Sequence, residues 1–271
     1  MFPKKTPYAR PANRINCHNN PVNGIDPTGM FTIPEITMSM AIRTIVSAHG
    51  MLLARTKQIA KELISGHGNY LNTLTQEKEN NSATIITHGL ITNGYGWASD
   101  FIDNLSQRAP GQDYYEFSWS GNPVSVGSVL ANESVHGMAT NSFIKVVRAV
   151  QAKGYKNVNI IGHSWGTVLS RDAQYAGVGN INTWFTMGSP LTASTMWPGS
   201  LGTWINIWND KDWVVTRVPS LMERGGRPLY KKTGIRQLPL STSLSFPDSH
   251  AMYWTNPTAL GRIGTQLDSQ R

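Results

Sequence analysis

The chain holds a single cysteine, Cys17, which leaves it without an intramolecular disulfide or a cysteine-cluster zinc site. Charge is sparse too, since only 15% of the 271 residues are Asp, Glu, Lys or Arg. A disordered chain has the opposite balance, and nine Trp, nine Tyr and seven Phe argue for a packed core. No run of 18 apolar residues occurs, which excludes an ordinary membrane-spanning helix. Met1–Asn20 is basic and polar with no apolar stretch, so an ordinary signal peptide is not expected. Acidic residues are the scarcer sign, 16 against 24 Lys and Arg, for a net charge of +8. Such an excess suits nucleic acid or an anionic membrane. The basic residues are scattered, as Lys4-Lys5, Arg55/Lys57/Lys61, Arg224/Arg227 and Lys231-Lys232. They are not interleaved with aromatics as in a nucleic-acid module, and no nucleic-acid partner is expected.

What is present divides the chain into three stretches. Residues 1–30 are rich in Pro, Asn and Gly, lack periodicity, and read as an irregular leader. Residues 31–82 read as a helical extension. Thr32 and Glu35 form a capping box, and Ile42, Ile45, Leu52, Ile59 and Leu63 keep helical spacing up to Gly66. Residues 83–271 show another pattern, short apolar runs alternating with amphipathic segments. Ala83–Thr87, Tyr114–Trp119, Val158–Ile161, Thr183–Met187 and Thr203–Trp208 are strand candidates, with helices expected near 95–108, 134–153 and 165–177. Buried runs alternating with helices predict a mostly parallel central sheet with helices on both faces, an α/β class.

Gly162-His163-Ser164-Trp165-Gly166 is a G-x-S-x-G sequence between the apolar run Val158–Ile161 and a helix candidate. Strand, sharp turn and helix form the context in which this motif lifts a serine hydroxyl clear of the backbone. The helix start behind it favours negative charge developing on a substrate carbonyl. Over roughly residues 80–265 the sequence resembles the α/β-hydrolase superfamily, lipase and esterase-like. That resemblance implies the order nucleophile, acid, histidine. Of seven histidines only His250 follows Ser164, in Asp248-Ser-His-Ala-Met-Tyr-Trp254, which resembles the late histidine loop of lipase-like hydrolases. Asn209-Asp210-Lys211-Asp212-Trp213-Val214-Val215 resembles the family's strand–turn–Asp segment and points to Asp212 as the acid, with Asp210 as the alternative. The family's two oxyanion donors would be the backbone amides of Trp165 and, in Thr87-His88-Gly89-Leu90, of Leu90. His88, Gly89, Gly162, His163 and Gly166 would support these motifs. The mechanism needs neither metal nor organic cofactor. Met187, Leu191, Met196, Trp197, Trp204 and Trp213 fit an acyl groove or, more simply, core packing. Residues 121–133 and 218–246, long and unpatterned, are lid candidates.

The leader adds a second resemblance. Asn19-Asn-Pro-Val-Asn-Gly-Ile-Asp-Pro-Thr-Gly-Met30 resembles the end of the Rhs repeat-associated core, after which that family carries a variable toxin domain. Asp26 matches one of the core aspartates that in many members cut the chain just after this motif, and Met30 replaces the usual Leu. This implies an antibacterial effector, exported without a signal peptide by an Rhs or type VI secretion device and cytoplasmic before export. It would act in target cells, in the periplasm or at the membrane surface. Such domains of this fold are usually phospholipases, so the resemblance implies phospholipase A activity on membrane phospholipid and an immunity protein as partner. A soluble ester, thioester or amide substrate, and a catalytically silent binding or delivery module, remain open.

Overall fold

The computed structural model describes residues 75–89, 97–119, 133–222 and 226–270. The leader, the helical extension up to residue 74 with its capping box at Thr32 and Glu35, Leu90 and all but the last residue of the lid candidate 121–133 lie outside the described residues. Five strands follow the apolar runs of the sequence: β1 (Ser82–Thr87), β2 (Gln112–Phe117), β3 (Asn157–His163), β4 (Ile181–Met187) and β5 (Leu201–Trp208). A sixth, β6 (Arg236–Pro239), closes one edge of the sheet, whose order is β2-β1-β3-β4-β5-β6 with every pair of neighbouring strands parallel. The stretch 218–246 is therefore not a lid throughout, because part of it is sheet. Arg-Gln-Leu-Pro is short, polar and only partly buried, as suits an edge strand, and it carries no apolar run for a reader to see.

The consecutive apolar residues of the inner strands feed two separate cores. Ile85, Ile160, Trp184 and Trp204 point into one, and their neighbours Ile86, Ile161, Phe185 and Ile205 point into the other. Side chains alternate across a strand, so a run buried on both faces needs layers on both sides. The first core is closed by α2 (Glu133–Ala152), with Phe143, Val146, Val147 and Val150, and by α3 (Trp165–Tyr175), with Val168 and Leu169. The second is closed by α1 (Trp97–Arg108), with Phe101 and Leu105, and by α7 (Pro257–Asp268), with Leu260, Ile263 and Leu267. Each such side chain, fully buried, contributes about 1.5–3 kcal/mol relative to exposure. The start of α7 is capped by the Asn256 side chain, which accepts the amides of Thr258 and Ala259, with Pro257 at the first helical position.

From β1 the chain steps to one side for β2, then crosses back over β1 to β3 and continues in the other direction. Such a reversal opens a crevice beyond the carboxyl ends of the strands. The segments that leave those ends are His88-Gly89 after β1, Ser164 after β3, Gly188-Ser189 after β4 and Asn209–Asp212 after β5. Short helices α4 (Trp213–Thr216) and α5 (Val218–Met222) follow the last of these, and α6 (Asp248–Ala251) precedes α7.

Candidate active site

Ser164 occupies the step from β3 into α3 with φ 52° and ψ −123°, a left-handed conformation uncommon for a non-glycine residue. The surrounding glycines show why it is tolerated. A Cβ on Gly166 would lie 2.6 Å from the Thr87 carbonyl oxygen and 2.7 Å from that of His88, so only hydrogen fits between α3 and the end of β1. A Cβ on Gly162 would lie 3.0 Å from backbone atoms of Gly166 and Thr167. The turn is fastened by Ser164 N–H donating to the Met187 carbonyl at 2.9 Å and by the Thr167 hydroxyl donating to the Ser164 carbonyl at 2.7 Å. A strained nucleophile position of this kind is held by its surroundings, never by its own preference.

Asp212 and His250 meet directly. His250 Nδ1 lies 2.9 Å from Asp212 Oδ2, with Asp212 fully buried and His250 7% exposed. The other carboxylate oxygen accepts the Val214 amide at 2.9 Å, which makes Asp212 also the N-cap of α4. Asp210 is exposed on the turn and Asp248 is exposed on α6, so neither competes for the imidazole. With Nδ1 occupied by the carboxylate, Nε2 is the ring nitrogen left for other work. Between His250 and Ser164 runs the end of β4: a Cβ on Gly188 would lie 3.1 Å from His250 Cε1, one residue beyond the carbonyl that holds the Ser164 amide. Glycine at 188, φ +54°, is what permits that approach. No hydrogen bond joins Ser164 Oγ to His250. What links the elbow to His250 is His163, whose ring packs on it, and Gly188, which abuts its Cε1.

His163 ties the elbow to the histidine loop. Its Nε2 donates to the His250 carbonyl at 2.9 Å, and its ring packs on His250 at 4.6 Å and on Trp254 at 3.7 Å between centroids. Burial, with the neighbouring His250 adding to it, holds His163 well below its ordinary pKa and so neutral. His88 is likewise fully buried and pushed down to about 4 by desolvation. Trp119 N–H donates to His88 Nε2 at 3.2 Å, so Nδ1 carries the proton and donates to the Gly89 carbonyl at 2.6 Å. The Trp119 indole stacks on the His88 ring, 5.7 Å between centroids, and donates to the His88 carbonyl at 2.9 Å. Gly89 lies over the serine: a Cβ there would come 2.5 Å from Ser164 Cβ and 2.9 Å from its Oγ. The Trp165 amide is the first of α3, where no intrahelical acceptor exists.

Two residues of the site escaped the sequence reading. Tyr253 donates its hydroxyl to Asp212 Oδ2 at 2.8 Å, and Asn209 donates to that phenol from its backbone at 3.2 Å and its side chain at 2.9 Å. The only hint was position, since Tyr253 stands three residues after His250 and so returns to the same side of the helical turn. Half of the apolar cluster weighed as an acyl groove is core. Met187, Leu191 and Trp204 are buried, Met196 and Trp197 are exposed, and Trp213 reaches Phe246 beside His250. Among the described residues no group of three or more His, Cys, Asp or Glu could hold a metal ion.

A family model described as alpha/beta hydrolase fold matches residues 84–218. Among solved structures, one of two metagenome-derived lipolytic enzymes, LipS and LipT, superposes with a TM-score of 0.50 at 11% identity, covering 70% of this chain and 94% of its own. A dienelactone hydrolase from Anabaena variabilis gives 0.48 at 13% identity, covering 71% and 86%. Carboxyl esterase 2 from Tuber melanosporum gives 0.47 at 11%, covering 69% and 77%. At these identities the likeness is one of fold. No curated protein matches the sequence.

Proposed function

The chain belongs to the α/β-hydrolase superfamily, and on that premise we propose that it is a serine-dependent acyl-ester hydrolase of the lipase type. The observation that carries this reading is the buried Asp212–His250 hydrogen bond packed against the strained Ser164 turn. His250 Nε2 takes the proton of Ser164 Oγ as that oxygen attacks the ester carbonyl carbon. Asp212 fixes the tautomer and balances the imidazolium. The Trp165 amide, with the amide of Leu90 as the family's second donor, stabilises the oxyanion. Collapse returns the proton from imidazolium to the departing alcohol and leaves an acyl-serine. Water, activated by the same imidazole, then attacks the acyl-serine, releases the acid and restores the hydroxyl.

Membrane phospholipid is the substrate class, through phospholipase A activity in an antibacterial effector. The Rhs-like stretch Asn19–Met30 supports delivery into a target cell, and the net charge of +8 supports attraction to an anionic surface at about 1 kcal/mol per well-placed basic residue. An enzyme of this activity would require an immunity protein in the cell that makes it. Fluorophosphonate labelling tests the chemistry: one adduct on the wild type, on Ser164, and none on Ser164→Ala. Anionic phosphatidylglycerol liposomes test the substrate: wild type releases fatty acid and Ser164→Ala does not. Cleavage of short soluble esters with intact liposomes would sink the lipid reading and keep the hydrolase. Absence of any adduct would leave a binding or delivery module.

A further inference from the structure

The oxygen of Asp212 that faces His250 is shared. Oδ2 accepts the Tyr253 hydroxyl at 2.8 Å as well as His250 Nδ1 at 2.9 Å. The phenol has no freedom to turn elsewhere. Asn209 fills its oxygen from two sides, with the backbone N–H at 3.2 Å and Nδ2 at 2.9 Å, so the proton of the phenol is what remains to be given, and it goes to the carboxylate. Asn209 is itself locked. Its Nδ2 also donates to the Ser249 carbonyl at 2.9 Å, and its Oδ1 accepts the Lys211 amide at 3.0 Å. Ser249 Oγ closes the loop on the Lys211 carbonyl at 3.0 Å. Asn209, Asp212, Ser249 and Tyr253 are all fully buried. Burial and the adjacent Asp212 charge hold the phenol well above its ordinary pKa, so it stays a donor throughout the working range.

We propose that Tyr253 is a positioning residue for the Ser164, His250 and Asp212 group: by donating to the oxygen that His250 uses, it fixes the carboxylate's orientation and divides that oxygen's negative charge between two donors. This rests on the hydrolase reading above. A carboxylate oxygen that already accepts one charge-assisted hydrogen bond has less negative charge to offer a second donor, and low polarity around it enlarges the effect. The other groups near His250 do not substitute for Tyr253. His163, at 4.6 Å, is held neutral by burial, and Phe246, at 6.3 Å, and Trp254, behind His163, carry no charge. Asp248 on the same helical turn, and Asp210 and Lys211 on the Asp212 loop, are exposed and screened by solvent. Among the described residues Asp212 is then the buried carboxylate that meets His250, and Tyr253 shares the oxygen through which it does so.

The test is the pH profile of kcat/KM on a soluble p-nitrophenyl ester, with fluorophosphonate labelling alongside. Removing the donor concentrates charge on Oδ2 and favours imidazolium. In Tyr253→Phe the acid limb moves up by about one pH unit, so kcat falls by up to about tenfold below the limb and by a few-fold near neutral pH, with KM within about twofold. A fluorinated tyrosine at position 253, a stronger donor of nearly the same shape, moves the limb down by a few tenths of a unit. Should Tyr253→Phe fail to fold, the fluorinated protein decides alone. Loss of activity at every pH with an unmoved limb in the folded variants would mean packing only, and overturns the assignment. Wild type without an adduct on Ser164 overturns the hydrolase reading and this assignment together, and is a different outcome from an adduct with an unmoved limb.

Discussion

Among the described residues, two aspartate–histidine pairs have nearly equal length and very different settings. Asp212 and His250 meet at 2.9 Å with side chains 0% and 9% exposed. Asp172 and His136 meet at 2.7 Å with side chains 24% and 22% exposed. The second pair sits beside the elbow as well, since the Trp165 indole donates to His136 Nδ1 at 3.3 Å. Its aspartate, however, is shared with a cation: Arg171 Nε donates to Asp172 Oδ1 at 2.6 Å. Distance therefore does not distinguish a reactive pair from a structural one. What differs is dryness, the neighbouring hydroxyl, and the nature of the carboxylate's other partner, a neutral phenol in one case and a guanidinium in the other. A guanidinium neutralises the charge that an imidazolium would need, whereas a phenol only divides it.

The largest expected effect separates the pairs outright. Asp212→Asn is expected to lower kcat by about 10⁴-fold, because the amide can leave His250 in the wrong tautomer, while Asp172→Asn stays within about threefold. Comparable losses in steady-state ester hydrolysis would break the distinction. A middle effect comes from His88, a fully buried histidine. Its folded pKa of about 4 lies below the ordinary 6.5, so the unfolded chain takes up the proton first as pH falls. Its contribution to stability is complete above pH 6.5 and is lost progressively down to about 4, roughly 2 kcal/mol between pH 7 and pH 5. Urea unfolding at the two pH values should show a smaller drop in His88→Asn than in wild type. The drop persists in part, since His163 is shifted in the same direction.

The smallest effect belongs to the exposed pair. Burial raises the Asp172 carboxyl, but hydrogen bonds from His136 and Arg171 outweigh it and leave its pKa below the ordinary value of 3.8. A lowered carboxylate stabilises the fold above its unfolded pKa and ceases to do so as pH falls through the folded one. Wild type should therefore exceed Asp172→Asn by at most about 1 kcal/mol at pH 5 and above, the gap closing below about pH 4. A gap that widens in acid would show the carboxyl to be raised instead.

Most of the sheet was legible because its inner strands are buried on both faces, and the apolar runs at Ile85-Ile86 and Ile160-Ile161 announce that directly. The edge strand Arg236–Pro239 was not, since an edge needs no such run. Ser164, Asp212 and His250 could be picked out because motif and chain order restrict the choice. The structure joins Asp212 to His250, packs the ring of His163, the neighbour of Ser164, on His250, and leaves Asp210 and Asp248 at the surface. Tyr253 and Asn209 were invisible, because nothing in local sequence tells a buried tyrosine in a packed turn from one that hydrogen-bonds a carboxylate 41 positions earlier. Only the closure of the loop Asn209–Asp212 on α6 and the turn after it supplies that.

The glycines at 162 and 166 have one more consequence. Their missing side chains let main chain press on main chain, Gly166 against the carbonyls of Thr87 and His88, and Gly162 against the first turn of α3. The coordinates of Ser164 are thus written in backbone contacts rather than in the packing of either core. Mutational drift in the isoleucines, phenylalanines and tryptophans of those cores can proceed residue by residue without carrying the nucleophile with it. The two glycines are held more tightly: an alanine at 162 would press backbone apart by a few tenths of an ångström, and one at 166 would have to part a helix from a strand.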